Sequence, residues 1–399
     1  MTVGSAERRS ISIIFFLNGS VTGTFASRLP WIADRLHLGS GLLGAVGLVT
    51  SIGALATMPF AAQFVHRYGP KAATRVLTAA SSLVLALPAF APDVVVLTAV
   101  MLLYGAFLGT NDNAINAQAV EAEQRIGKSI MSGLHGLWSL GVLAGALVGS
   151  LCAHAGIDPR VQFTVVAVMA AGLGVLACSW LAGGRPTGAA AEVAVPRFAW
   201  PRGVLLLIGL VGFASIFVEF AANDWSAIFM HWILHASQAE AALATGVFAG
   251  SMAAGRLSGD ALVRRIGPGA SVRCCGVLGT AGCLLVAVAP SALVALAGFV
   301  LIGLGVSVVV PLVFAAAGRS GPSPAIGVAG VATVSYGAGM AAPSVMGGVA
   351  DLSSLRIAFA IAALLAAMIA VGARLLDRQV PAERALVEAD GGGVRRRSA

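Results

Sequence analysis

Twelve runs of mainly apolar residues, each about as long as a bilayer is thick, govern what this chain can fold into. A helix needs about 20 such residues to cross the hydrocarbon core. The runs fall at 11–34, 42–64, 74–91, 94–119, 131–154 and 161–182, then at 203–230, 240–262, 272–289, 292–316, 325–349 and 355–376. Short breaks rich in proline, glycine or charge separate them. In hydrocarbon a backbone must satisfy its own polar groups, so runs of this length become helices. Twelve of them use about 240 residues, and the rest of the 399 makes loops and tails with no room for a soluble domain. Composition agrees: 58% of residues are apolar and 11% charged, where a soluble domain carries about 25%. A soluble enzyme, a nucleic-acid-binding module and a disordered chain are excluded. The expected class is an all-α polytopic membrane protein with 12 transmembrane helices.

The stretch 183–202 is the only long internal break, with three prolines and three arginines. It divides the chain into an N-terminal six-helix bundle at 1–182, a cytoplasmic linker at 183–202, a C-terminal six-helix bundle at 203–377 and a cytoplasmic tail at 378–399. Residues 1–10 followed by an apolar stretch could imitate a leader, but read as the start of an uncleaved first span. The five cysteines, Cys152, Cys178, Cys274, Cys275 and Cys283, have no paired spacing, so no disulfide framework is expected.

Lys and Arg set the orientation. With the N-terminus inside, 20 of the 25 basic residues face the cytoplasm, and Arg35, Arg160 and Arg356 face outward. Arg28 and Arg256 lie within spans. This asymmetry also accounts for the net charge of +8 without nucleic acid. It predicts a multi-pass protein of a bacterial inner membrane with both termini cytoplasmic.

The two parts repeat. Residues 65–75 read VHRYGPKAATR and 263–273 read VRRIGPGASVR. Val65, Arg67, Gly69, Pro70, Ala72 and Arg75 recur at an offset of 198, which also carries Gly105 onto Gly303 and Gly141 and Gly149 onto Gly339 and Gly347. Two halves of like topology joined by a linker form a transporter architecture.

With these motifs the chain resembles the major facilitator superfamily. The signature G-x-x-x-D-R-x-G-x-R/K-R/K between spans 2 and 3 is matched by Arg67, Gly69 and Lys71, while His66 stands for the acid and Ala62 for the first glycine. The second copy places Asp260 one helical turn before Arg264-Arg265. The segments 255–260 (GRLSGD), 116–121 (NAQAVE) and 132–139 (SGLHGLWS) are similar to the bacterial branch that contains MosC and YbjJ. The resemblance implies a proton-linked or otherwise secondary transporter, with spans 1, 4, 7 and 10 around a central cavity. It implies gating roles for Arg67, Lys71, Asp260 and Arg265, and suggests a polyol- or sugar-like solute.

Ionisable residues inside spans mark pathways for ions or substrates. Asp112 and Asn116 share a face of span 4. His135, Trp138 and Ser139 lie in span 5, so Asp112 and His135 could share a proton or form a fixed pair. In span 7, Glu219, Asn223 and Ser226 form one polar stripe, with Asp224 turned about 140° from Glu219. Glu219 is the candidate proton carrier, and Asp224 reads as an outer structural acid. In span 1, Asn18 and Thr22 share a face. Arg28 either closes an external gate with Glu219 or Asp224 or snorkels to the headgroups. Arg256 and Asp260 are expected to pair beside the inner gate. At the repeat offset His135 and Trp138 become Thr333 and Tyr336, candidate contacts on a more apolar wall. The stripe Gly141, Gly145 and Gly149 predicts close helix packing.

No HExxH, GxSxG, paired-cysteine or Walker A pattern is present, so no metal or cofactor and no enzyme is expected. The partners expected are a small solute, protons and lipid, with the chain a monomer. Symport, efflux by antiport, and a transport-inactive sensor or scaffold on the same fold stay open as functions.

Overall fold

The computed structural model describes residues 3–127, 130–181, 201–320 and 323–377. Most of the expected linker and the 378–399 tail lie outside the described residues. Among those described the chain is helical throughout, with no strand. The helices are α1 (Val3–Ser27), α2 (Leu29–Arg35), α3 (Ser40–Tyr68), α4 (Pro70–Leu83), α5 (Val94–Ile126), α6 (Met131–His154), α7 (Pro159–Cys178), α8 (Val204–Leu234), α9 (Gln238–Ile266), α10 (Pro268–Ala287), α11 (Ala292–Val306), α12 (Val309–Ser320), α13 (Pro324–Leu352), α14 (Leu355–Gly372) and α15 (Arg374–Asp377). Eleven stretches among the described residues are long and apolar enough to cross a bilayer. With 29 residues, α9 has the length but not the apolarity.

Several apolar runs are not single helices. The first is broken at Arg28 between α1 and α2. The third tightens after Leu83 into a 3-10 turn at Val84–Phe90 around Pro88. The tenth is interrupted between Val306 and Val309. By contrast α13 runs unbroken through Pro343.

The repeat is written into the helix bounds. Adding 198 to either end of α3 gives the ends of α9. Gly69 has φ +81° and Gly267 has φ +82°. Each ends one helix and is followed at once by a proline at the first position of the next. Glycine alone enters that backbone region freely, and proline's fixed φ suits a helix start. Among the described residues the only positive-φ residues that are not glycine, His37 and His235, are also 198 apart and follow α2 and α8.

The most extensive contacts join α1 to α6, α6 to α9, α3 to α5, α10 to α14 and α8 to α13. The glycine stripe explains the first. A Cβ at Gly141 or Gly145 would strike the backbone of α1 near Phe16, Ser20 and Thr24, and one at Gly19 or Gly23 would strike α6 near Trp138 and Val142. Small residues let the two backbones meet. Two seams join the part before residue 181 to the part after 201: α6 with α9, and α3 with α13.

Candidate functional site

Between these seams lies a cavity of about 390 Å³, within the range of about 300–1,000 Å³ that takes a small molecule. Its walls follow helical periodicity. Tyr104, Leu108 and Asp112 step down α5, and Ile216, Glu219, Phe220, Asn223 and Asp224 step along α8. Tyr336, Gly339, Met340 and Pro343 come from α13, Asn18, Thr22 and Phe25 from α1, Trp138 from α6, and Thr50 and Ser51 from α3. The expected lining by span 10 is corrected: neither α11 nor α12 supplies a lining residue, while α3 and α13 do.

Glu219 is held by an arginine that sequence spacing assigned elsewhere. Arg256 on α9 donates from Nη2 to Glu219 Oε1 at 3.0 Å and from Nη1 to Ser139 Oγ of α6 at 2.9 Å. Both members of the ion pair are largely buried, 12% and 17% exposed. The expected Arg256–Asp260 pair is therefore not formed: Arg256 turns back toward the cavity and Asp260 stays exposed. The guanidinium bridges α8, α9 and α6 and brings the two parts of the chain together at one carboxylate. Removing one partner of a buried pair leaves an uncompensated charge, which costs far more than the pair contributes.

Asp112 is exposed to the cavity. It does not meet His135, whose ring packs edge-on against Phe15 at 5.6 Å and lies outside the lining. The shared proton and the fixed pair are thus both corrected: α5 and α6 barely touch, and His135 packs on α1 instead. Asn116 folds back on its own helix, its Nδ2 donating to the Asp112 backbone carbonyl at 2.8 Å. Asp224 faces the cavity rather than acting as a remote structural acid, and Asn223 Nδ2 donates to its Oδ1 at 2.8 Å. Ser226 leaves the expected stripe and pairs with Thr245 at 3.2 Å.

Arg28 meets neither Glu219 nor Asp224. It is 3% exposed, so it does not snorkel, and its Nη2 donates to the Ile157 carbonyl at 3.2 Å. That contact ties the α1–α2 break to the loop before α7. Tyr336 lines the cavity and leans on Phe314 at 6.0 Å, whereas Thr333 donates to its own helix at Ala329 and lies outside the lining. Lys71 Nζ donates to the Ser179 and Leu181 carbonyls at 2.7 and 2.8 Å, a cation on the last turn of α7. Arg67 lies over the Tyr68 ring at 5.6 Å, and Arg265 is exposed at the end of α9.

Sequence reasoning missed two features. Tyr104 was legible in principle, because it lies two four-residue steps before Asp112. The second is a polar cluster where α2 and α8 end. Asp34 Oδ2 meets His231 Nε2 at 2.7 Å, and its carboxylate accepts from Trp232 Nε1 and Gln238 Nε2, each at 3.2 Å. Beside it Gly41 N donates to Asp351 Oδ1 at 3.3 Å, joining α3 to α13. Among the described residues no group of three or more His, Cys, Asp and Glu could hold a metal ion.

The comparisons with known proteins agree with this architecture. The family model described as Major Facilitator Superfamily matches residues 11–342 and 213–398. An uncharacterized transporter y4wD of Sinorhizobium fredii is 32% identical over 373 residues, covering 93% of this chain and 98% of its own length. The membrane protein MosC of Rhizobium meliloti is 27% identical over 374 residues, with 92% and 90% covered. Among solved structures, the nucleoside transporter NupG superposes with a TM-score of 0.74 at 15% identity, covering 94% of this chain and 99% of NupG. The E. coli fucose:proton symporter FucP superposes with a TM-score of 0.60 at 15% identity, with 92% and 98% covered. The chain belongs to the Major Facilitator Superfamily: it is a multi-pass membrane transporter and not an enzyme.

Proposed function

We propose that this chain is a secondary active transporter in which two six-helix halves, 1–182 and 203–377, rock about a central cavity and move a small polar solute in exchange or in company with protons. The repeat offset that recurs in the helix bounds supports the two halves, and α9 then joins the eleven more apolar stretches as the twelfth span. The charge asymmetry favours cytoplasmic termini in an inner membrane. In that orientation the Asp34 cluster closes the outside, and the end marked by Gly69 and Gly267 faces the cytoplasm.

The observation that carries the reading is Glu219 on the cavity wall, held by an arginine that also touches the other half. A proton arriving on Glu219 neutralises it and frees Arg256, so protonation and the contact between halves are linked. Arg67, Lys71, Asp260 and Arg265 belong to the cytoplasmic end in this scheme. The names of the structural neighbours, a nucleoside transporter and a fucose:proton symporter, lend weight to a small polar solute and to protons. The carboxylates on the wall disfavour an anion.

Spin labels test the rocking. On a background without the five native cysteines, one pair replaces His37 and His235, and a second pair replaces Tyr68 and Ile266. In proteoliposomes at about pH 5 and about pH 8 the two distance distributions are expected to shift in opposite senses, and Glu219→Gln to remove the pH response. Distributions that stay fixed at both ends would overturn the reading in favour of a sensor or scaffold.

A further inference from the structure

We infer that the ligand of the central cavity is a small protonated amine, drawn in by the carboxylates of Asp112 and Asp224, with the phenol of Tyr104 on the same wall. The inference rests on the transporter reading above and names the class of its solute.

The cavity lining holds Asp112, Glu219 and Asp224 but no Lys, Arg or His. Arg256 answers Glu219 from behind the wall. Among the described residues neither Asp112 nor Asp224 has an ion-pair partner. A cleft lined by one sign of charge, with apolar walls, concentrates the opposite charge.

Tyr104 adds an independent sign of a missing ligand. Its side chain is 2% exposed and lines the cavity, and its hydroxyl has no hydrogen-bond partner. A buried hydroxyl without a partner is unusual, because it forfeits its hydration and gains nothing in return. It stands on the same stripe of α5 as Asp112. An ammonium group offers up to three donors and no acceptor, which suits a wall whose unpaired charged groups are carboxylates. Asp112 lies about 12 Å along α5 from Tyr104, so the two aspartates act on the cation through the field of the cleft rather than as one set of ligands.

Trp138, Trp225 and Tyr336 also line the wall, and aromatic rings attract cations. The other titratable groups nearby are Glu219 and Tyr336 on the wall, Arg256 behind Glu219, and His135 turned away onto Phe15. An uncharged alcohol of the same shape would fill the space but leave both aspartates without a counter-charge. A carboxylate would be repelled.

The test is a charge ladder on the purified full-length chain in detergent at about pH 7.5, read by isothermal titration and thermal shift. Benzylamine, benzyl alcohol and benzoate form one series, and ethanolamine, ethylene glycol and glycolate the other. At least one amine is expected to bind about tenfold or more tightly than its alcohol, with no binding by either carboxylate. Asp112→Asn and Asp224→Asn are each expected to weaken that amine about tenfold, and Tyr104→Phe about threefold. Asp224→Glu, which keeps the charge, is expected to retain binding and guards against loss by misfolding, as does the unliganded melting temperature of each variant.

Alcohols that match the amines, amine binding unchanged in both Asn variants, or no binding by either amine would overturn the proposal. The label distances separate the two readings. Alternation without amine selectivity removes the ligand class alone. Amine selectivity with fixed distances removes transport and leaves the site.

Discussion

The two ends of this molecule are held by different kinds of contact. At the end marked by Asp34, the parts before residue 181 and after 201 touch through side chains: Asp34 with His231, Trp232 and Gln238, and Asp351 with the Gly41 amide. At the other end, Gly69 and Gly267 fix tight helix-to-helix turns, and Lys71 binds carbonyls of its own half. One end is a clasp between the part before residue 181 and the part after 201, and the other is a set of joints within each part. The clasp is water-exposed, with Asp34 45% exposed and His231 24%. Exposed pairs contribute about 0–1 kcal/mol each, so a clasp built this way can open without large cost. The contrast suits a protein that must change which end is closed.

The largest expected effect lies between the two ends. Glu219→Gln leaves Arg256 without its charge partner, so coupled flux is expected to be abolished and stability to fall by about 3 kcal/mol. Adding Arg256→Met should restore most of the melting temperature but not the flux. Recovery of flux in the double variant would sink the coupling role.

Next is the seam beside the clasp. A side chain at Gly347 would meet the Ser40 carbonyl and the backbone of Gly44. Gly347→Leu is expected to cost about 1–3 kcal/mol by overpacking and to bias the population away from closure at that end, read as a longer distance between labels at 37 and 235. An unchanged distance would mean that the seam does not control closure.

At the other end, Gly69→Ala and Gly267→Ala each force a Cβ into the positive-φ region, at a cost of about 1–2 kcal/mol. They are expected to lower the melting temperature alike, because the two turns are the same. A large inequality between them would break the repeat as a mechanical description.

The smallest effect is at the clasp itself. His231 Nδ1 faces the Ala236 carbonyl at 2.8 Å and Nε2 faces the Asp34 carboxylate, both acceptors. Gln238 Nε2 lies 3.3 Å from the same Nε2 and 3.2 Å from the Asp34 carboxylate, so the contact is a small network rather than one pair. Asp34→Asn is expected to shift closure by less than about 1 kcal/mol, measured as faster labelling of a nearby cysteine by an impermeant thiol reagent.

How much of this was legible in the sequence depends on how local each feature is. The Gly-Pro turns could be read because one residue's backbone preference and the next residue's ring decide them. The cavity stripe on α8 was legible through Glu219 and Asn223 because helical periodicity is a property of four or five neighbours. The partner of Arg256 was not. Asp260 lies one turn away along the same helix, Glu219 lies on another, and only the rotation and packing of α8 against α9 decide between them. Arg28 misled for the same reason, since its acceptor is a main-chain carbonyl that no side-chain pattern announces. Asp224 was misplaced because it lies nearer the outer end of its span, although the cavity reaches that far and curves round more than about 100° of the helix.

The α6–α9 seam has a further consequence. It is touched along its length, from Ser150 bonded to the Ala239 carbonyl, through Leu143 against Gly246 and Gly250, to Leu257 against Gly136. Such a seam resists being pulled apart but can serve as a fulcrum. A helix of 29 residues like α3 is a lever about 43 Å long. A tilt of about 10° carries its far tip about 7 Å, roughly the width of a small solute, while atoms at the fulcrum barely move. Large travel at the tips and a nearly stationary Arg256–Ser139 contact would then be two readings of one rotation, taken at different radii.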